Sequence, residues 1–402
     1  MLSTLFNTLL FITSGLLVLS FLVFFHELGH YSVARFFNVA VERFSIGFGK
    51  PIAQWTAEKT GVRWSIGRIP LGGYVKFKGD AGAASNPDAA ELETLKSEMV
   101  ASGDADVDNI FHFKPLYQRV LIVLAGPVAN FLLAIIIFAA LALGYGSRDY
   151  VSEISVVTEN SRAAEAGFLP GDKVITMDGK DVSTWSKLGQ HIALRSETDI
   201  VTVIERDGME KTLTVRPKRE EKKDFVGGKA NVGHIGIGID RNTPIKTVSY
   251  NPIEALGYGV SETGARLSAT GIYLGRIFTG RESGDQLGSV VKIATITGKS
   301  TIDIANADIT VSERASAMLL TLLSLGASIS IALGFANLMP IPALDGGHLL
   351  YYGYEAVAGR PLSQKKQEFG FRIGFAILLT LFVVLTINDI GYVSDLVRNL
   401  SS

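Results

Sequence analysis

Two histidines and a glutamate stand in the stretch Phe25-His26-Glu27-Leu28-Gly29-His30, the pattern H-E-x-x-H. Residues four apart lie one above the other on a helix, so both imidazoles can reach one metal ion. Glu27 lies beside them, where a carboxylate can take a proton from water that the metal has acidified. Imidazole and carboxylate ligands suit zinc. The chain has no cysteine, which excludes disulfides, thiolate metal sites and cysteine nucleophiles. A catalytic zinc uses three protein ligands and keeps one position open. The third ligand is offered by Asn337-Leu338-Met339-Pro340-Ile341-Pro342-Ala343-Leu344-Asp345-Gly346-Gly347-His348. Asp345 is the better candidate and His348 the other one. The prolines interrupt helical hydrogen bonding, and the paired glycines permit close backbone approach. Asp345 also fits as the N-cap of a short helix from Gly346, a reading weakened because the histidines lack another ligand. His112, His191 and His234 lie in segments with no partner pattern.

Both motifs adjoin long apolar runs. Leu2 to Phe25, Val120 to Leu143, Ala317 to Leu338 and Phe371 to Ile387 approach or exceed the ~20 residues that cross a bilayer as a helix. Charged residues make up 19% of the 402 and hydrophobic residues 47%, which suggests spans joined to a soluble part. The net charge of -1 and the lack of a basic run argue against a nucleic-acid partner. No Lys or Arg precedes Arg35, so the first run is expected as a retained span and not a signal peptide. Ionisable groups at membrane depth are costly and need a partner or a function. Arg35, Arg43, Lys50, Lys114 and Arg119 flank the first connection, and Arg360, Lys365, Lys366 and Arg372 crowd the third. The opposite side carries Arg148 and Arg398. This bias places the first and third connections in the cytoplasm, with both termini and the large segment after the second span outside. Both metal motifs then fall on one side.

The residues His-Glu-Leu-Gly-His ending one span, with N-x-x-P-x-P-x-L-D-G-G after a later one, resemble the site-2 protease family, in its RseP-like bacterial branch. Ala125-Gly126-Pro127-Val128-Ala129-Asn130 in the second span and an outward insert extend the likeness over most of the chain. The resemblance implies cutting of single-span membrane substrates in the lipid bilayer after a prior outer cut, with anti-sigma factors and remnant signal peptides as substrate classes. It implies a bacterial inner-membrane location and one zinc ion bound by His26, His30 and Asp345. It also implies Glu27 as the general acid and base, and Asn337 as a substrate-handling residue. Asn130 matches the motif of the second span, where a packing amide beside a proline kink serves equally.

The connecting segments supply the remaining parts. Val41 to Gly49 and Arg63 to Gly79 alternate in polarity with glycine punctuation and read as strands and a hairpin. A sheet edge near the metal could hold an unwound substrate by backbone hydrogen bonds, which makes Gly72, Gly73, Tyr74 and Val75 candidate substrate-binding residues; a structural β-cap is the alternative. Residues 81–107 read as a loop or short exposed helix. In 151–217, strand-like runs surround Ala166-Gly167-Phe168-Leu169-Pro170-Gly171-Asp172, a pattern that resembles a PDZ domain. Lys218 to Lys229 reads as a charged linker, and Pro252 to Phe278 as an amphipathic helix on the outer membrane face. The expected architecture is a multi-pass α-helical membrane protein with four transmembrane helices, a membrane-associated β-hairpin or sheet and a soluble α+β PDZ domain. Its parts are the first span with H-E-x-x-H (1–36), a β-rich segment and loop (37–115), the second span (116–145), the PDZ domain (150–218), a linker with an amphipathic helix (219–310), the third span with the aspartate motif (315–348), a connection (349–368) and the fourth span (369–390). Two rival readings are a metal transporter using the same ligands and a non-catalytic scaffold that presents the PDZ domain.

Overall fold

The structure is a computed structural model of the chain and describes residues 2–78, 89–102, 107–223, 229–240, 243–281 and 290–401. They divide into two compact units: residues up to Ile137 together with those from Val290 onward, and residues from Phe138 to Arg281.

The first unit begins with α1 (Leu2–Phe36), which runs eleven residues beyond Phe25, so H-E-x-x-H lies inside a helix and not at its end. The helix stops where Asn38 adopts φ 55° and the Val39 and Asn38 N–H groups donate to the carbonyls of Ala34 and Arg35. That is the closing pattern of a helix whose last orphan carbonyls are satisfied by a left-handed residue, a conformation asparagine tolerates. The strands β1 (Val41–Thr56) and β2 (Arg63–Phe77) are antiparallel and both bend. Their register gives four adjacent segments in the order 73–77, 41–46, 63–67, 51–56, with 73–77 at an edge. Aromatic packing fixes this sheet to α1: Phe44 stacks on Trp64 at 4.4 Å, and Phe24 and Tyr31 meet Phe44 edge-on, each at 5.8 Å. Phe24, Leu28 and Tyr31 recur at helical spacing and belong with Phe44 to one apolar core. The described part of 81–107 includes a short helix, α2 (Ala89–Ala101); residues 81–88 and 103–106 of that expectation lie outside the described residues. The helix α3 (Leu116–Tyr145), continuous through Pro127, passes from the first unit into the second.

The second unit opens with β3 (Ser147–Tyr150), β4 (Val156–Val157) and α4 (Arg162–Glu165), the last capped by the Ser161 hydroxyl. The strands β5 (Lys173–Met177), β6 (Lys180–Asp181), β7 (Ile200–Arg206) and β8 (Met209–Val215) form an antiparallel sheet in the order β6-β5-β7-β8, with α5 (Trp185–Ala193) between β6 and β7 in sequence. Phe168, Val174, Met177, Leu188, Ile200 and Ile204 build its core. Asp172 is buried and bidentate to Arg206 at 2.6 and 2.8 Å, and it also accepts from the Leu169 N–H. The buried carboxylate of Asp172 is therefore paired. The expected linker instead forms a hairpin of β9 (Lys218–Lys223) and β10 (Lys229–His234). Composition alone suggests a linker here, but tertiary contacts hold the backbone extended. Gly233 lies against the Ile192 carbonyl, too close for a side chain, and His234 meets Glu220 at 3.2 Å. β11 (Ile237–Gly238) pairs with β4, and β12 (Ile245–Val248) pairs with β3. The unit's long helix, α6 (Pro252–Phe278), starts at a capping box formed by Asn251 and Glu254 with Pro252 at its first position.

The chain then returns to the first unit as α7 (Val290–Ala305), α8 (Val311–Asn337), α9 (Asp345–Ala358) and α10 (Gln364–Ser401). Among the described residues four helical stretches are long and apolar enough to cross a membrane: Thr13–Phe36, Leu116–Tyr145, Val311–Asn337 and Gln364–Ile387. On α10, Phe369, Phe375, Leu379, Phe382, Val384 and Ile387 are all exposed. Such a surface is stable only against an apolar solvent.

Candidate metal centre

Three elements converge on one point. α1 contributes His26 and His30, one turn apart, on the side that meets α3. Gly29 makes that approach possible, since a Cβ there would overlap the Ala125 carbonyl and come within 2.7 Å of the Ala129 Cβ. α3 answers with a stripe at four-residue spacing: the carbonyl of Ile122, then Gly126, then Asn130. His30 Nδ1 donates to the Ile122 carbonyl at 2.8 Å. Gly126 lies under both rings, with an ideal Cβ only 2.5 Å from His30 Cε1 and 2.8 Å from His26 Cε1. Asn130, fully buried, brings its side-chain amide to 3.1 Å from His26 Nδ1. α8 is tied to α3 by the Ser330 hydroxyl, which donates to the Asn130 carbonyl at 2.8 Å.

After α8, the Pro340–Leu344 turn delivers Asp345 as the first residue of α9; Leu344 holds the N-cap position, so Asp345 does not cap this helix. Gly346 and Gly347 pack where a Cβ would strike the carbonyls of Leu338, Met339 and Ile341, which is why this turn needs both. The far end of α9 is anchored by Glu355, bidentate to Arg119 of α3 at 2.6 and 3.1 Å, with the same guanidinium 5.1 Å above the Tyr352 ring. A planar fork of this kind fixes direction as well as distance.

The outcome is a triangle of ligand atoms. His26 Nε2 and His30 Nε2 are 3.3 Å apart, and Asp345 Oδ2 lies 3.2 and 3.5 Å from them. Atoms bound tetrahedrally at ~2.0–2.1 Å to zinc stand about 3.3–3.4 Å from one another. Asp345 Oδ2 is buried and accepts no hydrogen bond despite facing two imidazoles. Three atoms so placed fit the donors of a shared ion. His348 lies outside this group, with its ring edge-on to Tyr351.

Glu27 is buried beside the triangle, and its carboxyl is hydrogen-bonded by the backbone of Val75. Gly73 lets the edge segment of β2 come this close, because an ideal Cβ there would lie 2.9 Å from Glu27 Cγ. Among the other expected substrate residues, Asn337 places its amide nitrogen 3.5 Å from His26 Nε2. Gly72, at φ 123°, makes room for the Phe48 ring, and Tyr74 stacks on that ring with 6.2 Å between centroids. The Ile122 carbonyl and the Arg119–Glu355 clamp were not among the site residues expected from the sequence, and Gly126 entered only as part of the second-span motif. Only the spacing of Gly126 and Asn130 in an otherwise apolar span offers a signal.

A helix-borne pair of histidines, a carboxylate between them and a third ligand from a distant helix define a metallopeptidase of membrane type. The model of peptidase family M50 matches residues 14–381. Metalloprotease MmpA of Caulobacter vibrioides is 38% identical over 385 residues, 95% of this chain and 96% of that protein. A protein named "Putative zinc metalloprotease" from Agrobacterium fabrum is 40% identical over 383 residues, covering 95% and 96%, and one of the same name from Rhizobium meliloti is 39% identical over 382 residues, again 95% and 96%. The chain belongs to peptidase family M50, the site-2 protease family, and is a zinc metalloprotease.

Proposed function

We propose that this metalloprotease cuts single-span membrane proteins within or near the bilayer once an earlier cut has shortened their outer part. Anti-sigma factors and remnant signal peptides are the substrate classes. The observation that carries the reading is the placement of two histidines and a buried carboxylate on a membrane-length helix, joined by Asp345 from α9 and lying beside the edge of a small sheet. His26, His30 and Asp345 hold the zinc. When bound, zinc supplies a Lewis acid that makes water acidic enough to attack at neutral pH. Glu27 takes the proton from the attacking water and passes it to the leaving amine. A helical substrate hides its scissile carbonyl, whereas an extended one presents it. The edge strand Gly72, Gly73, Tyr74 and Val75 pairs with the unwound substrate backbone, and Asn337 hydrogen-bonds it near the site.

Residues 150–218 of the second unit are read as a PDZ domain that controls access. A cavity of about 330 Å³ supports this, lined by Trp185, Leu188 and Ile192 of α5 and by Val232, His234 and Ile237. It has the helix-and-strand walls that a peptide terminus needs. The basic residues flanking the spans support a bacterial inner-membrane protein with the active site toward the cytoplasm and the second unit outside.

The test is cleavage by purified protein in detergent, using a single-span substrate with its outer part intact or removed, with and without a zinc chelator. The truncated substrate is expected to be cut inside its apolar span only when zinc is present. Cuts confined to soluble flanks, or cutting unaffected by the chelator, would contradict the reading.

A further inference from the structure

We infer that Asn130 is a positioning residue that fixes the tautomer of His26, its side-chain oxygen accepting the Nδ1–H so that the Nε2 lone pair faces the metal. The inference rests on the ligand assignment proposed above. His30 shows the requirement in unambiguous form. Its Nδ1 meets the Ile122 carbonyl at 2.8 Å, and a carbonyl can only accept. The His30 proton therefore resides on Nδ1, which leaves Nε2 free as a ligand. A metal-bound imidazole generally donates its other N–H to such an acceptor.

His26 has no backbone carbonyl in the corresponding place. The only side chain at hydrogen-bond distance from its Nδ1 among the described contacts is Asn130, with Nδ2 at 3.1 Å. An amide nitrogen there can only donate. That would force the His26 proton onto Nε2, where it would remove the lone pair needed by a metal. The Asn130 oxygen is meanwhile buried without a hydrogen-bond partner. A half-turn of the amide exchanges the two atoms, which have nearly the same shape. The oxygen then accepts from Nδ1–H, and both histidines present Nε2 to the same point.

Asn130 is well placed to hold this orientation. It is 0% exposed, and its own backbone carbonyl accepts from Ser330 of α8. Its Cβ lies 3.2 Å from the position a Cβ would take at Gly334, so α8 crowds it from behind. The side chain thus has one polar task, which accounts for an amide within the apolar run Val120 to Leu143.

The test is zinc affinity of the full chain in detergent, measured by competition with a chromophoric chelator for wild type, Asn130→Leu and Asn130→Asp, with the melting temperature of each metal-free protein as a folding control. Leucine keeps the volume but cannot accept; aspartate accepts as the amide oxygen does. Asn130→Leu is expected to weaken zinc about tenfold, within the range for lost partners of ligand histidines, and its cleavage deficit should diminish as free zinc is raised. Asn130→Asp should bind within a few-fold of wild type. Equal affinity for wild type and Asn130→Leu, or equal losses in both variants with unchanged metal-free melting, would overturn the inference while leaving the ligand assignment intact. Absence of zinc from wild type would instead overturn the ligand assignment, and the inference with it.

Discussion

Replacing Glu27 with glutamine is expected to lower cleavage about 10²–10⁴-fold, the usual contribution of a positioned acid–base group, while leaving one zinc bound per chain. Glutamine has the shape of glutamate, so the close packing against Gly73 survives. What disappears is the ability to accept a proton. Glu27 is not a corner of the ligand triangle, which is formed by His26, His30 and Asp345. A rate assay on a truncated single-span substrate, paired with metal analysis of the same preparation, separates the two roles. Loss of zinc together with activity would make Glu27 a ligand, and retained activity would remove it from the chemistry.

Substituting Gly126 by alanine is the second large effect, expected to weaken zinc about 100-fold and to reduce cleavage in parallel. The added methyl would lie 2.5 Å from His30 Cε1 and 2.8 Å from His26 Cε1. Neither ring can swing away freely, since His30 is held by Ile122 and His26 by Asn130. Overpacking a tight site costs about 1–3 kcal/mol, and the upper end corresponds to this loss because one atom disturbs two ligands. Gly144 on the same helix has nothing within 4 Å of an ideal Cβ, so Gly144→Ala serves as the control and should leave zinc affinity unchanged. Matching affinities for the two variants, read by chelator competition, would contradict the packing argument.

What could be read in advance followed the range of the interactions. His26 and His30 were legible because one turn of helix is a local rule, and Asp345 because its loop carries prolines and glycines after an apolar run. The four apolar stretches were legible from length alone. The way α1 closes was not. Its motif marks where lipid-compatible sequence gives way to polar residues, whereas the helix continues to Phe36 and is closed by Asn38. The acceptor for His30 is a backbone carbonyl 92 residues away and has no sequence signature. Asn130 stood out as an amide in an apolar span, yet its partner became visible only with α1 and α3 packed together. The β9–β10 hairpin was missed because Lys218–Lys223 is six charged residues in a row, and what holds it extended is a strand that begins after residue 228.

The central claim is that His26, His30 and Asp345 together hold the zinc. The measurement that tests it most directly is zinc content per chain, determined by elemental analysis on purified wild type and on Asp345→Ala after dialysis against a weak chelator. One zinc per chain in wild type and essentially none in the variant is the expected result. Full zinc retention in Asp345→Ala would contradict the account and return the third ligand to another residue.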